Sequence, residues 1–426
     1  MELLLLTIAV LVVGLLIGIP VPFTFFAGTL LIVVAGGYDY TFLLPYAYKQ
    51  CSSIILMSIP LFIFAGSLME KGGIGECLVN LVEMFVGRIK GGLGIAMTVA
   101  CGIFGAISGS GMATLSCIGS IMLPRMEQAG YPKAHSAALI SSASLLGLLI
   151  PPSMNMILYA FVGGQSVLSC FVATVGPGIL LIILLSAVNC FLLRKNPNVQ
   201  TLPPMSGKQY TSELGKRTVR SLPALICPVI ILGGIYSGIF TPTEAACVSV
   251  IYSIIISLFV YKDMDLKGLY DTFLSTSVLN GATSFLLGTS TVFSTFMTFE
   301  KVPQMITEFL TGVSDNPYIV LMFINVFLLI VGCFLDTVPA IIVMAPMLLP
   351  TVEAMGINPI HFGVIMAVNL ALGLCSPPYG CNLFVGAAVA KIKMESMFKY
   401  IIPYFIVGIL ALLIITYVPW LSLVFV

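Results

Sequence analysis

The sequence predicts an all-α polytopic membrane protein built from two inverted repeats, each with a re-entrant helical hairpin and a discontinuous helix. Three observations carry this prediction: the composition, paired short apolar segments, and an internal repeat. Of the 426 residues, 59% are hydrophobic and 8% are charged, with a mean hydropathy of +1.12. A soluble domain carries about 25% charged residues, so lipid must be the solvent for most of this surface. Long apolar runs without alternation favour helices over a transmembrane barrel.

The composition also excludes several classes of function. The net charge is +1, and no basic patch suits nucleic acid. The 11 cysteines occur singly, which favours apolar helix packing over metal or redox chemistry. No Walker loop, H-E-x-x-H motif or dinucleotide fingerprint is present, so we expect no enzyme. The apolar N-terminus lacks a basic region and a cleavage site, so it is interpreted as a retained first span.

Two pairs of apolar segments are too short to cross a bilayer alone, because a spanning helix needs roughly 20 residues. The pairs are 92–108 with 112–123, separated by Ser108-Gly109-Ser110-Gly111, and 317–335 with 338–350, separated by Asp336-Thr337. Each pair predicts a re-entrant hairpin whose tip stops inside the membrane. Irregular backbone is tolerated at that depth only when it is buried in protein or lines a wet cavity.

Two further segments are interrupted at mid-length, by Pro151-Pro152 and by Pro377-Pro378. A tandem proline removes backbone donors and breaks a helix. A passive kink is an adequate interpretation of one such pair. The presence of a second pair at the corresponding place favours two discontinuous spanning helices.

An internal repeat relates the two halves by a shift of 226 positions. Without a gap, the shift carries Leu123, Pro124, Glu127, Gly130, His135, Leu146, Gly147, Leu148, Pro151 and Pro152 onto Leu349, Pro350, Glu353, Gly356, His361, Leu372, Gly373, Leu374, Pro377 and Pro378. Paired broken helices in a duplicated chain are typical of the binding site of a secondary transporter. The predicted first repeat is 1–215, with scaffold helices about 1–72 and a hairpin and broken helix about 91–160. The second repeat is 216–426, with scaffold helices about 219–296 and a hairpin and broken helix about 316–391.

The distribution of Lys and Arg predicts the orientation, because cytoplasmic loops carry most of them. With the loop 194–220 in the cytoplasm, 16 of the 18 basic residues become cytoplasmic, and only Lys49 and Lys301 face outside. The first hairpin then opens from the cytoplasm and the second from the periplasm. The halves are inverted, and both termini are periplasmic.

Hairpin tips and broken helices place backbone and side-chain polar atoms at mid-membrane without the cost of an unpaired charged side chain. Unwound carbonyls coordinate a cation such as Na⁺, and half-helix N-termini face an anionic substrate. The candidate cation ligands are Ser108, Gly109, Ser110, Gly147, Pro151, Asp336, Thr337, Gly373, Ser376 and Pro377. The candidate substrate ligands are Ser110, Ser153, Asn155, Asp336, Thr337 and Asn382.

Each candidate also has a structural interpretation. An acid within a spanning segment is functional by default, but Asp336 also suits a helix N-cap, and the two roles can coexist. The Ser, Thr and Asn residues suit bonds between helices. Gly147 and Gly373 suit close packing. His135 and His361 are interpreted as markers of helix starts at the interface.

The chain resembles the large membrane subunit of tripartite ATP-independent periplasmic (TRAP) transporters over nearly its full length. The motifs that carry the resemblance are Ser108-Gly109-Ser110-Gly111, Gly130-Tyr131-Pro132, Ile150-Pro151-Pro152-Ser153, Thr241-Pro242-Thr243-Glu244-Ala245, Asp336, His361-Phe362-Gly363 and Pro377-Pro378-Tyr379-Gly380. The family typically has Thr before the second tandem proline, whereas this chain has Ser376, which keeps the hydroxyl.

The resemblance implies a Na⁺-coupled uptake system for carboxylates such as C4-dicarboxylates or sialic acids, in a bacterial inner membrane. It implies two partners: a periplasmic substrate-binding protein and a small four-helix membrane subunit. It also implies a fold similar to the ion-transporter superfamily, with a scaffold and an elevator-type transport domain. Two alternatives stay open: a stand-alone Na⁺-driven carboxylate carrier, and a channel or passive scaffold subunit.

Overall fold

The computed structural model describes residues 2–203 and 205–426, and all regular structure in those residues is helical. The prediction of an all-helical, multi-pass membrane protein is confirmed. Seven helices of the described chain are long and apolar enough to cross a membrane, and a bent pair makes an eighth span. Both arms of the second predicted hairpin, Pro317–Phe334 and Thr337–Ala354, are among these seven helices, so the prediction that they are too short to cross alone is wrong. The shorter apolar helices include Gly92–Ser108, Pro359–Gly373 and Cys381–Ala390.

The helices of the first half are α1 Glu2–Ile17, α2 Val21–Gly36, α3 Leu43–Cys51, α4 Ile54–Lys71, α5 Ile74–Val86, α6 Gly92–Ser108, α7 Gly111–Gln128, α8 Lys133–Ala143, α9 Leu146–Leu149, α10 Met154–Val162, α11 Val167–Ala173 and α12 Val175–Leu193. Those of the second half are α13 Gly207–Tyr236, α14 Pro242–Ile255, α15 Leu266–Phe299, α16 Val302–Val313, α17 Pro317–Phe334, α18 Thr337–Ala354, α19 Pro359–Gly373, α20 Cys381–Ala390, α21 Phe398–Tyr417 and α22 Trp420–Leu423. A π-helical turn, Ile256–Tyr261, extends α14, and a 3₁₀ turn, Met394–Met397, precedes α21.

Local sequence signals begin several of these helices. Thr241 caps α14 in a reciprocal arrangement with Glu244, and Pro242 occupies the first helical position. Both features satisfy or avoid the free N–H groups at a helix start. Ser206 and Gln209 form the same capping box at the start of α13.

The helices form an outer group and an inner group. The outer group contains α1, α2, α4, α13, α14 and α15, which pack on one another through the pairs α1–α2, α2–α15, α4–α14, α4–α15 and α13–α14. The inner group, called here the hairpin block, contains α6–α10 and α17–α20. Helices α12 and α21 pack on each other and on this block.

The hairpin block shows a crossed arrangement. The second arm of the first hairpin, α7, packs on α20 of the second half, and the second arm of the second hairpin, α18, packs on α10 of the first half. Each hairpin therefore rests on the broken helix of the other half as well as on that of its own.

Helix α5 connects the hairpin block to the outer group on one side. The guanidinium of Arg125 on α7 donates to Oδ1 of Asn80 at 2.7 Å, and that of Arg217 on α13 donates to the carbonyl of Asn80 at 2.9 Å. Arg125 also pairs with Glu83 at 3.2 Å. Asn80 thus bonds to both groups of helices.

The histidines differ from the sequence expectation. His135 and His361 do lie near the starts of α8 and α19, but both are buried, with 1% and 2% exposure. The Nε2 atom of His135 lies 3.1 Å from Asn189 Oδ1 on α12 and 3.2 Å from the Tyr404 hydroxyl on α21. Polar partners from the two flanking helices satisfy the buried ring nitrogen.

Candidate functional site

The tip of the first hairpin is a two-residue turn between α6 and α7. Gly109 adopts φ +60°, a conformation that favours glycine. Ser110 caps α7 by accepting a hydrogen bond from the Ala113 N–H at 3.4 Å. The Gly109 carbonyl accepts from Met154 N at 3.5 Å, so the tip lies against the break of the first discontinuous helix.

Three neutral oxygens cluster at this tip. The Thr114 hydroxyl donates to the Ser110 carbonyl at 2.8 Å and lies 3.3 Å from the Ser108 hydroxyl. Ser108 and Thr114 are buried, with 1% and 0% exposure. Carbonyls and hydroxyls freed at a helix break are the ligands that transporters offer to Na⁺. The cluster thus consists of oxygen atoms of the type that coordinate alkali cations.

Gly147 packs directly on this cluster. A Cβ atom at Gly147 would lie 2.7 Å from the Ser110 carbonyl oxygen, closer than nonbonded contact allows. The absent side chain lets α9 approach the tip. Gly147 therefore serves close packing, and that packing places its backbone beside the oxygen cluster.

The first break itself uses Ser153 locally. Pro151 and Pro152 are buried and joined by a cis peptide bond. Ser153 caps α10 by accepting from Met156 N at 3.4 Å, and its hydroxyl donates to the Leu148 carbonyl. The structure thus commits the Ser153 hydroxyl hydrogen to the break rather than to a ligand.

The tip of the second hairpin is Asp336, which caps α18. Its Oδ1 accepts from the Thr337 N–H at 2.6 Å. The side chain is exposed, whereas Thr337 is buried with 1% exposure. The N-cap interpretation is observed, and the remaining carboxylate oxygen stays free of hydrogen bonds within the described chain.

Thr337 links this tip to the first half. Its hydroxyl donates to Oδ1 of Asn155 at 2.9 Å. Asn155 is fully buried, and its Nδ2 atom has no hydrogen-bond partner among the described residues. Buried amide donors are nearly always satisfied, so this N–H₂ group is available to a ligand such as a carboxylate.

The second break repeats the geometry of the first. Gly373 packs on Gly332 of α17, where a Cβ atom at Gly373 would lie 2.6 Å from the Gly332 Cα. Pro377 and Pro378 are again joined by a cis peptide bond. The Ser376 hydroxyl donates to the Gly373 carbonyl at 2.8 Å, so it stays within its own break.

Asn382, on α20 of the second broken helix, contacts the first broken helix. Its Nδ2 donates to the Ser144 hydroxyl at 3.0 Å, and its carbonyl accepts from Ser141 Oγ at 3.1 Å. Its Oδ1 has no partner in the described part of the chain. Ser141 was not singled out in the sequence, because no motif distinguishes it from other helical serines.

Eight of the thirteen candidates fall into three groups, and the other five, Pro151, Ser153, Gly373, Ser376 and Pro377, lie at the two breaks. Ser108, Gly109, Ser110 and Gly147 meet at the first tip; Asp336, Thr337 and Asn155 meet at the second tip; and Asn382 meets Ser144. The first tip is closed, whereas Asp336, Pro378, Tyr379 and Cys381 at the second tip and break are exposed. Within residues 2–203 and 205–426, no three His, Cys, Asp or Glu side chains meet to hold a metal ion.

Comparison with known proteins places this geometry in context. A family model described as "Tripartite ATP-independent periplasmic transporter, DctM component" matches residues 5–421. The isethionate TRAP transporter permease protein DctMQ of Oleidesulfovibrio alaskensis is 36% identical over 420 residues, which are 96% of this chain and 64% of that protein. The chain therefore spans just under two thirds of that relative's length.

Other relatives match over most of both chains. The C4-dicarboxylate TRAP transporter large permease protein DctM of Pseudomonas aeruginosa is 37% identical over 376 residues, covering 88% of this chain and 87% of that protein. The ectoine/5-hydroxyectoine TRAP transporter large permease protein UehC of Ruegeria pomeroyi is 38% identical over 338 residues, covering 79% and 77%. The crystal structure of the Alcanivorax borkumensis YdaH transporter shares the fold, with a TM-score of 0.62 at 11% identity and coverage of 89% and 87%.

Proposed function

Since the chain belongs to the family of DctM components of tripartite ATP-independent periplasmic transporters, and is a transporter permease rather than an enzyme, we propose that it imports an organic acid together with Na⁺. The observation that carries the proposal is the meeting of two hairpin tips with two broken helices. Each tip presents oxygen ligands, and the second tip lies beside the unpaired amide of Asn155.

The proposed cation sites are pseudo-symmetric. Ser110 and Asp336 differ by 226 positions and cap α7 and α18. The first site offers neutral oxygens from Ser108, Ser110 and Thr114, and the second adds the Asp336 carboxylate. A bound Na⁺ at the second site is neutralised by that carboxylate, whereas the first leaves a positive charge that favours an anionic substrate.

The proposed substrate is a small organic acid. Relatives are named for C4-dicarboxylates, ectoines and isethionate, which share a carboxylate or sulfonate. No arginine occurs within the hairpin tips or breaks, so the acid is held by neutral donors such as Asn155 and by half-helix N-termini. Selection among acids then belongs largely to a periplasmic binding protein.

The proposed movement is an elevator, in which the hairpin block moves against the outer group. Crossed packing of α7 on α20 and of α18 on α10 supports a block that moves as one piece. In the proposed orientation, the membrane is the bacterial inner membrane and both termini are periplasmic. A small membrane subunit is the proposed partner of the outer group, as the name DctMQ of a longer relative suggests.

Reconstitution into proteoliposomes with the small subunit and the binding protein tests this proposal. We expect a Na⁺ gradient to concentrate succinate, and an equal proton gradient without Na⁺ not to do so. Equal uptake in the two conditions contradicts Na⁺ coupling. Full uptake without either partner favours the stand-alone carrier, and uptake that neither saturates nor concentrates favours the channel.

A further inference from the structure

A polar cavity of about 400 Å³ lies between α7, α8 and α20. Its polar lining consists of Ser120, Glu127, Lys133, Ser136 and Lys391. Glu127 follows Ser110 by 17 residues, which is about 25 Å along a helix at about 1.5 Å per residue. The cavity is therefore distinct from the site at the tips, although the same helices form both. Small-molecule sites have volumes of about 300–1,000 Å³.

The cavity carries one uncompensated positive charge. Lys133 pairs with Glu127 at 2.8 Å, so these two charges cancel. Lys391 makes no ion pair with any residue that the structure describes. An anion is the ligand that this balance favours.

Ser136 supplies a second, independent indication of a ligand. It is 1% exposed and lines the cavity, and its hydroxyl has no hydrogen-bond partner within the described chain. Ser141 and Ser142 on the same helix donate to carbonyls four residues earlier, at 2.9 and 3.0 Å. An unpaired buried hydroxyl is costly. The hydroxyls of Ser186, Ser290 and Ser422 also lack a partner among the described residues, but of these serines only Ser136 lines this cavity, where an acceptor would pair it.

The other half of the protein provides an internal control. The shift of 226 carries Ser120, Lys133 and Ser136 onto Pro346, Pro359 and Phe362. One extra residue follows the second tandem proline, so Asn382 falls on Asn155 and Lys391 on Gly164 at a shift of 227. Ser120, Lys133, Ser136 and Lys391 are thus all replaced, whereas Glu127 falls on an identical Glu353, and Phe362 is fully buried. Four of the five polar side chains of the lining are therefore particular to one half and are not required by the fold.

Lys391 occupies a backbone position that suits glycine. Its φ is +54°, and the equivalent Gly164 has φ +62°. A non-glycine residue with positive φ is uncommon. This half keeps a lysine at the position where the other half has the residue that the backbone favours.

We propose that this cavity is a second site, which binds an oxyanion through the Lys391 ammonium and the Ser136 hydroxyl. The inference rests on the proposed function for its location, because the proposed orientation puts this end in the cytoplasm. Two sources supply an oxyanion there: the carboxylate of the released organic acid, and the phosphate of an anionic lipid headgroup.

The cavity lies close to the contact between the two broken helices. Ser136 precedes Ser144, which bonds to Asn382, by 8 residues, or about 12 Å along the helix.

Binding to the full chain in nanodiscs tests the proposal without any requirement for transport. In phosphatidylcholine discs without Na⁺, succinate is titrated by calorimetry against the wild type, Lys391→Gln and Lys393→Gln. Lys393 is exposed and does not line the cavity, so it is the matched control. We expect about tenfold weaker binding for Lys391→Gln, because a charged hydrogen bond is lost, and unchanged binding for Lys393→Gln.

A lipid arm separates the two sources. If headgroup phosphate is the ligand, phosphatidylglycerol discs raise the Tm of the wild type and of Lys393→Gln but not of Lys391→Gln, and succinate has no effect. Ser136→Ala is expected to weaken whichever ligand binds while it raises the Tm of the empty protein, because an unpaired hydroxyl is removed. Insensitivity of both arms to Lys391→Gln, or a Ser136→Ala variant with unchanged affinity, overturns the proposal. If the wild type shows no Na⁺-driven uptake in proteoliposomes but still binds the oxyanion through Lys391, only the proposed function is contradicted.

Discussion

The hydroxyl of Thr337 donates a hydrogen bond to Oδ1 of Asn155 across 2.9 Å, although the two residues are 182 positions apart. This bond joins the tip of the second hairpin to the first broken helix. It also leaves the Asn155 amide N–H₂ group oriented by one partner and free toward another. Thr337 therefore positions a candidate substrate donor.

Replacement of Thr337 tests this positioning. Thr337→Val keeps the shape but leaves the buried Asn155 without its side-chain partner, so we expect a loss of about 1–3 kcal/mol in unfolding free energy. We also expect a higher KM for substrate. Thr337→Ser keeps the hydroxyl and is the matched control. Thermal unfolding and uptake kinetics measure both effects, and identical behaviour of the Val and Ser variants contradicts the role.

Asp336→Asn separates charge from capping. Asparagine caps a helix nearly as well as aspartate, so we expect stability to remain within about 0.5 kcal/mol. If the carboxylate neutralises Na⁺, the apparent Na⁺ affinity falls, and a loss of about 1.4 kcal/mol is a tenfold change.

Uptake measured against Na⁺ concentration reports that affinity. Ser110→Ala at the equivalent position removes one neutral oxygen, and we expect a milder defect of the same kind. Unchanged Na⁺ curves in well-folded variants assign both residues to structure alone.

The close contacts of Gly147 and Gly373 predict that replacing either glycine destabilises the protein. Gly147→Ala and Gly373→Ala place a methyl group against the backbone of Ser110 and Gly332, so both are expected to destabilise the protein by about 1–3 kcal/mol. Gly281 in α15 has open space around its Cβ position. Gly281→Ala should therefore leave uptake unchanged, and an equal defect in all three variants contradicts the packing argument.

Arg125 is expected to matter for stability through Glu83. Glu83 is 7% exposed, and Arg125→Gln leaves that carboxylate without its cation. We expect a loss of about 1–3 kcal/mol, smaller than for a fully buried pair because Arg125 is partly exposed. Glu83→Gln in the same chain should restore part of the loss. A double-mutant cycle of unfolding free energies measures the coupling, and strict additivity contradicts it.

The orientation is testable by fusions at the C-terminus. The distribution of 16 basic residues inside and 2 outside predicts a periplasmic C-terminus. Alkaline phosphatase fused there should be active, and a fluorescent protein that matures only in the cytoplasm should be dark. The opposite pattern reverses the whole orientation.

The sequence predicted where several helices end, because glycine and proline mark those positions. The first hairpin arm was predicted as 92–108, and α6 is Gly92–Ser108. The second arm was predicted to end at 123 but extends to Gln128, because Pro124 lies within the helix without ending it.

The partners of the polar side chains were less predictable. Asn382 bonds to Ser144 from 238 positions away, and no local pattern encodes such a pair. The hydroxyls of Ser153 and Ser376, predicted to contact ligands, each donate to a carbonyl in their own break, which leaves a lone pair of each oxygen for a ligand. A break frees carbonyls as well as exposing side chains, and the nearest carbonyl accepts first.

The crossed packing of the hairpin block bears on stoichiometry. Because α18 rests on α10 and α7 rests on α20, each hairpin packs on helices of both halves. In the proposed elevator movement, a displacement of one tip would therefore carry the other tip with it. Ions at the two tips and an acid beside Asn155 would then cross the membrane together. A fixed ratio of ions to substrate would follow from the packing of the helices rather than from the affinity of any single ligand.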